Sequence, residues 1–292
     1  MRWTPGSSNQ NVEDRRGESS GGGGFGFGGG GLGGRHIGIG GFLVLLVLSV
    51  VFRQDLFSAL GTGGGEQSAP VQSAPSGPLQ TTPEEEKTKD FITFVLNDAQ
   101  GMWAKQLPAV GGQYRDVKLV LFRDGIKSAC GFAQSATGPF YCPGDEKVYI
   151  DLGFYQELKD RFGAPGDFAQ AYVLTHEIGH HVQKILGTES EVRRLQQEQQ
   201  GAANQLSVRM ELQADCYAGI WAHGAEQSKL IETGDIEEGL GAAAAVGDDR
   251  IQRMATGRVH PESFTHGTSA QRTEWFKRGF TSGRIQDCDT FR

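Results

Sequence analysis

His176 and His180 stand four positions apart in the run Val173-Leu174-Thr175-His176-Glu177-Ile178-Gly179-His180-His181. On a helix that spacing puts both imidazoles on one side, one turn apart. Two imidazoles so placed suit one divalent ion of the zinc type, and Glu177 lies beside them to handle a proton. The chemistry is hydrolysis: the ion makes a water acidic, and a carboxylate takes its proton as the oxygen attacks a carbonyl. A hydrolytic Zn²⁺ site keeps three protein ligands and one open position, so a third ligand must come from elsewhere in the chain. Farther on stands Glu211-Leu212-Gln213-Ala214-Asp215. Glu211 completes a His₂Glu set. Asp215, one turn beyond it, can accept a hydrogen bond from the outer nitrogen of a ligand histidine and fix its tautomer. Without a cation, two acids at that spacing repel mildly and gain nothing.

Helices must hold these side chains. Asp167 follows Gly163-Ala164-Pro165-Gly166 as an N-cap, and Phe168, Ala171, Tyr172, Thr175, Ile178, Val182 and Ile185 recur at helical spacing before Gly187. A second helical run from Thr188 to about His223 carries Glu211 and Asp215; its charged, glutamine-rich beginning, 189–200, is expected to project into solvent. Upstream, Thr82-Pro83-Glu84-Glu85 is a capping box that opens a helix through Phe91, Ile92, Val95, Leu96, Ala99, Met102 and Trp103. Residues 117–122 read as a strand, and 140–141 and 147–152 as strands about the turn Cys142-Pro143-Gly144-Asp145. A short helix is expected over 154–162, another from Ile236 to about Met254 capped by Asp235, and an amphipathic one with Trp275, Phe276 and Phe280. The class is α+β, mainly helical, with a small antiparallel sheet.

His-Glu-x-x-His followed by Glu-x-x-Ala-Asp on a second helix resembles the gluzincin branch of the zincin metallopeptidases. The chain is similar to the bacterial family named putative neutral zinc metallopeptidases over roughly 91–284. Carrying that likeness are Gly138-Pro139-Phe140-Tyr141-Cys142-Pro143, the 175–181 core, 211–216, and Ser263-Phe264-Thr265-His266-Gly267-Thr268-Ser269-Ala270-Gln271-Arg272. The resemblance implies a zincin-like fold with the sheet above the active-site helix and an edge strand able to pair with an extended peptide. It also implies a late His or Tyr that donates to the oxyanion; His266 is the candidate, with Arg272 as a helper or a structural carboxylate partner, and His260 the weaker choice. His181 lies about 100° around the helix from His180, off the zinc face, and His223 reads as a helix-surface residue.

The net charge is −7 and no basic stripe is present, so no nucleic-acid partner is expected. Four cysteines, Cys130, Cys142, Cys216 and Cys288, form no Cys-x-x-Cys pair; in an exported domain they suggest two disulfides with three connectivities. Cys130–Cys142 closing a short loop and Cys216–Cys288 tying the tail to the ligand helix are favoured.

Residues 1–36 are polar, then glycine-rich, and are expected to be disordered. An uncharged apolar run begins at Ile37 and ends at Phe52, within a proposed membrane anchor over 37–57. It is slightly shorter than the ~20 residues a crossing needs. Arg2, Arg15, Arg16 and Arg35 precede it, which predicts a cytosolic N-terminus and an extracytoplasmic body at the bacterial inner membrane. A cleaved signal peptide is the rival reading. Residues 58–81 read as a flexible linker and 82–292 as the metallopeptidase domain. The expected function is a membrane-anchored, Zn²⁺-dependent endopeptidase acting on peptide or protein substrates, with Glu177 as base. The alternatives are a catalytically silent zincin-fold scaffold in the envelope and a soluble hydrolase of small amides.

Overall fold

The computed structural model describes residues 1–18 and 79–292. Its first long helix, α1 (Pro83–Gln106), starts as its capping box requires. Thr82 accepts from the Glu85 amide, and the Glu85 carboxylate accepts from the Thr82 amide. Phe91, Ile92, Val95, Leu96, Ala99 and Trp103 form its buried face. Each large apolar side chain so buried contributes about 1.5–3 kcal/mol.

The main sheet contains β1 (Val12–Asp14), β2 (Lys118–Phe122), β5 (Phe140–Cys142) and β6 (Lys147–Asp151), in the order β1-β2-β6-β5. A separate hairpin is made by β3 (Gly125–Ser128) and β4 (Gly131–Gln134). The sheet is mixed, not antiparallel as expected. β5 and β6 are antiparallel, with Phe140 opposite Tyr149, because a short turn joins them. β2 and β6 are parallel, with Leu119 opposite Val148, because the hairpin and β5 intervene and let the chain re-enter the sheet in the same direction. β1 runs parallel to β2, with Val12 opposite Leu119.

β1 also corrects the expectation of a disordered tail over 1–36. Residues 1–18 are an ordered part of the domain. Their polar side chains are matched rather than buried bare: Arg16 pairs with Asp14 at 2.6 Å and Glu86 at 2.8 Å, and Glu13 with Lys147 at 2.8 Å. A short strand needs backbone partners more than apolar area, and β2 offers them. The Met1 ammonium reaches Asp167 at 3.0 Å and Asp235 at 3.3 Å. Asp167 therefore holds an ammonium and makes no cap of its own. The proposed anchor at 37–57 lies outside the described residues, as does most of the linker. Among the described residues no helix is long and apolar enough to cross a membrane.

The remaining helices are α2 (Gly153–Asp160), α3 (Asp167–Leu186), α4 (Thr188–Glu198), α5 (Ala203–Gln227), α6 (Asp235–Ala245), α7 (Asp248–Thr256) and α8 (Ser269–Ser282). The run expected from 188 to about 223 is thus two helices joined by a 3-10 turn, and the one expected from 236 to about 254 breaks at Val246-Gly247. α4 packs on α3 and α5 through Val192 and leaves most of its charged and glutamine side chains exposed, as expected.

α3 runs through the middle of the core, among Trp103, Trp221, Phe168, Tyr172 and Phe276. Two close approaches between helices set the geometry of the site. A β-carbon at Gly179 would lie 3.1 Å from the backbone of Ala214, so α3 and α5 nearly touch between the paired histidines and the paired acids. α5 and α8 touch through Gly219 and Gly279, where any side chain would strike the facing backbone.

Candidate metal centre and its cleft

The crossing of α3 over α5 brings His176, His180 and Glu211 together; their ligand atoms lie within 4.8 Å of one another. Nε2 of His176 is 3.2 Å from Glu211 Oε2, and Nε2 of His180 is 3.5 Å from Oε1. The outer nitrogens are held too. His176 Nδ1 is 2.9 Å from Asp215 Oδ1, and His180 Nδ1 is 2.8 Å from Gln183 Oε1. A carboxylate and an amide oxygen can only accept, so both Nδ1 atoms carry the proton and both Nε2 atoms turn toward Glu211.

The electrostatics suit a cation at that point. Burial disfavours a charged His176, yet the charge and hydrogen bond of Asp215, with the bond to Glu211, raise its pKa to about 9. Burial likewise opposes ionisation of Glu211, but His180, His176 and His266 hold its carboxyl well below the usual range. A half-buried carboxylate facing two Nε2 atoms calls for positive charge, and two nitrogens plus one carboxylate fit Zn²⁺ in a site open on one side.

Asp215 is fully buried. Arg272 from α8 grips it with two bonds, Nε to Oδ2 at 2.8 Å and Nη2 to Oδ1 at 2.9 Å, and the Tyr172 hydroxyl donates to Oδ1 at 2.5 Å. Burial would raise the Asp215 pKa; Arg272 and His176 bring it below the ordinary value.

Glu177 and His266 line the same cleft, whose volume is about 560 Å³. Asp248, first residue of α7, receives the amides of Thr265, His266 and Gly267 on Oδ2 at 2.7, 2.6 and 3.1 Å, and its Oδ1 is 3.1 Å from His266 Nδ1. His266 Nε2 makes no hydrogen bond among the described residues. Burial opposes a charged His266, but Asp248 and Glu211 raise its pKa. The Asp248 carboxyl, despite burial, sits below its ordinary value because of His266 and the loop amides.

One wall of the cleft comes from Gly138, Pro139, Phe140, Tyr141 and Pro143, along and beside the edge strand β5. α4 adds Val192, Arg193 and Gln196, and Val173, Phe162 and Ile251 form an apolar end. His181 points away from the metal centre, as expected. Its Nε2 donates to the Arg115 carbonyl at 2.8 Å, so its Nδ1 accepts from the Tyr141 hydroxyl at 2.9 Å, tying β5 to α3. His260 is exposed beside Glu262 and does not line the cleft, and His223 bonds the Phe280 carbonyl at 2.8 Å. Both favoured disulfides are present, Cys130–Cys142 and Cys216–Cys288.

Two supporting residues escaped the sequence reading. Asp248 carried a signal, since Gly247-Asp248-Asp249 is a helix start rather than a helix interior. Gln183 carried only its place one turn beyond His180.

The family model described as "Putative neutral zinc metallopeptidase" matches residues 1–291. The uncharacterized protein YpfJ of Escherichia coli K12 is 49% identical over 294 residues, spanning 100% of this chain and 99% of the relative. The uncharacterized proteins Mb2605 of Mycobacterium bovis and Rv2575 of Mycobacterium tuberculosis are each 47% identical over 206 residues, covering 67% of this chain and 68% of theirs. No solved structure matches. A match over nearly the whole length, centred on a site of this composition, places the chain in the putative neutral zinc metallopeptidase family.

Proposed function

We propose that this protein is a zincin-like, Zn²⁺-dependent endopeptidase that uses Glu177 as general base. The observation that carries the proposal is the meeting of His176, His180 and Glu211, with Glu177 beside them, in the lining of a cleft that a sheet edge also walls. When bound, zinc supplies Lewis acidity and a water whose pKa falls from 15.7 to about 7. Glu177, one residue from a ligand on α3, takes the proton of the attacking water and passes it to the leaving amine. His266, steadied by Asp248, offers Nε2–H to the carbonyl oxygen as negative charge grows there. β5 offers backbone groups to an extended peptide, with Tyr141 fixed against α3.

The test is Glu177→Gln, assayed for zinc content and for cleavage of an unstructured protein. Zinc should stay near one equivalent while cleavage vanishes. Full cleavage by the variant would remove Glu177 from the reaction, and zinc without turnover in the native protein would favour a binding module.

The proposed location is extracytoplasmic, because two disulfides persist in an oxidising compartment. The expected cytosolic N-terminus does not fit this. β1 belongs to the same sheet as β6, so residues 1–18 share the compartment of the domain that follows. Reporters fused to the two ends should read the same side of the membrane; opposite sides would refute this arrangement.

A further inference from the structure

His180 is oriented from behind by two buried glutamines in series, and the series ends on the backbone of a disulfide-bonded cysteine. Gln213 Nε2 donates to the Cys288 carbonyl at 3.0 Å. Gln213 Oε1 accepts from Gln183 Nε2 at 3.1 Å, which also donates to the Met210 carbonyl at 2.7 Å. Gln183 Oε1 in turn faces His180 Nδ1 at 2.8 Å.

The polarity of this chain is forced. A backbone carbonyl can only accept, so the Cys288 carbonyl fixes which end of the Gln213 amide faces it, and the Met210 carbonyl does the same for Gln183. Neither amide can flip without setting oxygen against oxygen. The remaining Gln183 oxygen then requires a proton on His180 Nδ1, which leaves the Nε2 lone pair directed at Glu211. Gln183 is fully buried and Gln213 is 6% exposed, so solvent does not readily substitute for either partner.

Cys288 is held in turn. Its disulfide partner, Cys216, follows Asp215 directly on α5, and both cysteines are fully buried. The segment after Cys288 adds weaker ties, Thr290 to the Arg209 carbonyl at 2.7 Å and Arg209 to the Phe291 carbonyl at 3.4 Å.

We infer that Gln183 and Gln213 are positioning residues that set the tautomer and aim of His180, and that the Cys216–Cys288 link anchors them. This deepens the proposed zinc site and rests on it. The role of the C-terminal segment is then to hold a carbonyl in place behind a ligand, at a distance from the cleft itself.

The experiment measures zinc affinity by chelator competition, with no substrate present. Gln183→Leu keeps the side chain's bulk but removes the acceptor, along with the Nε2 bonds to Met210 and Gln213, and loss of such an outer partner lowers metal affinity about 10–100-fold. For a neutral acceptor we expect the lower end of that range. Gln213→Leu and the double change Cys216→Ala with Cys288→Ala should each cost less, and combining them should add little, because they cut the same chain. Unchanged affinity in a folded Gln183→Leu protein overturns the inference while leaving the peptidase proposal intact. A second measurement needs no variant: imidazole nitrogen NMR of the cation-free native protein at mildly alkaline pH. His180 should carry its proton on Nδ1, and a proton on Nε2 alone overturns the inference. If the native protein bound no zinc, the proposed function would fall, and the tautomer measurement would still decide the role of Gln183.

Discussion

The two histidines of α3 are supported in opposite ways. Behind His176 stands a carboxylate, Asp215, fully buried and balanced by Arg272 and the Tyr172 hydroxyl. Behind His180 stands a neutral amide, Gln183, balanced by a second amide and two carbonyls. The charged support makes its histidine more basic, so His176 holds a proton until about pH 9 when no cation is present. Loading on that side releases a proton, and affinity falls with acid. The charge also binds the fold to α8, because Arg272 is the main counter-charge of Asp215. The amide support needs no counter-ion and conveys orientation alone. One half of the site depends on charge balance across three helices, the other on the polarity of hydrogen bonds.

That difference is broken most sharply at Arg272. Arg272→Met leaves Asp215 buried with its main counter-charge gone, and losing one partner of a buried pair typically costs about 3–5 kcal/mol. Gln183→Leu instead strands only neutral groups, the His180 Nδ1–H and the oxygens of Met210 and Gln213, at about 1–3 kcal/mol for each that finds no new partner. Urea unfolding of the zinc-free proteins should show a loss for both, but only the Arg272→Met loss should respond to removal of a charge. Adding Asp215→Asn to Arg272→Met should restore much of the loss, since the stranded charge is then gone. Equal losses for the two single variants, with no rescue, would mean that the charged side is not held by charge.

A third histidine sharpens the contrast between holding a metal and handling a reaction. His266, like His176, has a carboxylate behind it, but it lines the cleft without a hydrogen bond to Glu211 and feels only that carboxylate's charge. His266→Ala should lower kcat by a factor of about 10²–10³, the usual loss for one oxyanion donor. Zinc affinity should stay within a few-fold of native, unlike in Gln183→Leu. A variant that lost zinc instead would move His266 from the reaction to the metal.

What the sequence revealed depended on distance along the chain. The spacing of His176, Glu177 and His180 dictates a shared face on any helix, and Glu211 and Asp215 repeat that logic, so the centre was readable before its fold. Direction and partnership were not. Short apolar runs bounded by turn residues mark β2 and β6 as strands but say nothing about which neighbour each meets, and the parallel pairing went unseen. β1 is three residues of polar character, and its place in the sheet is set by backbone groups of β2. Gln183 has an ordinary composition for a helix position; its role exists only because Gln213, Met210 and Cys288 surround it. Asp248 was hidden because the helical pattern continued through Gly247, which in the fold is the break that turns α7 toward the loop carrying His266.

The smallest effect tests whether a carboxylate behind a histidine acts the same way when that histidine is outside the metal-ligand set. Asp248 and Glu211 both raise the His266 pKa against the effect of burial, and Arg272 opposes them. A raised histidine pKa means that the charged form persists above the ordinary value and disappears as pH climbs through the raised one. The stability lent by the Asp248–His266 pair follows the same course: complete below the ordinary histidine pKa and fading on the alkaline side. It is also lost in acid, as pH falls through the lowered pKa of Asp248. If imidazolium is the form that meets the oxyanion, the alkaline limb of kcat against pH reports His266. Asp248→Asn keeps an acceptor for the loop amides but removes the charge, so that limb should move to lower pH while zinc affinity and peak kcat change little. A limb that stayed in place would assign the titration to another group, and would leave Asp248 as a brace for the 265–267 loop rather than an electrostatic partner.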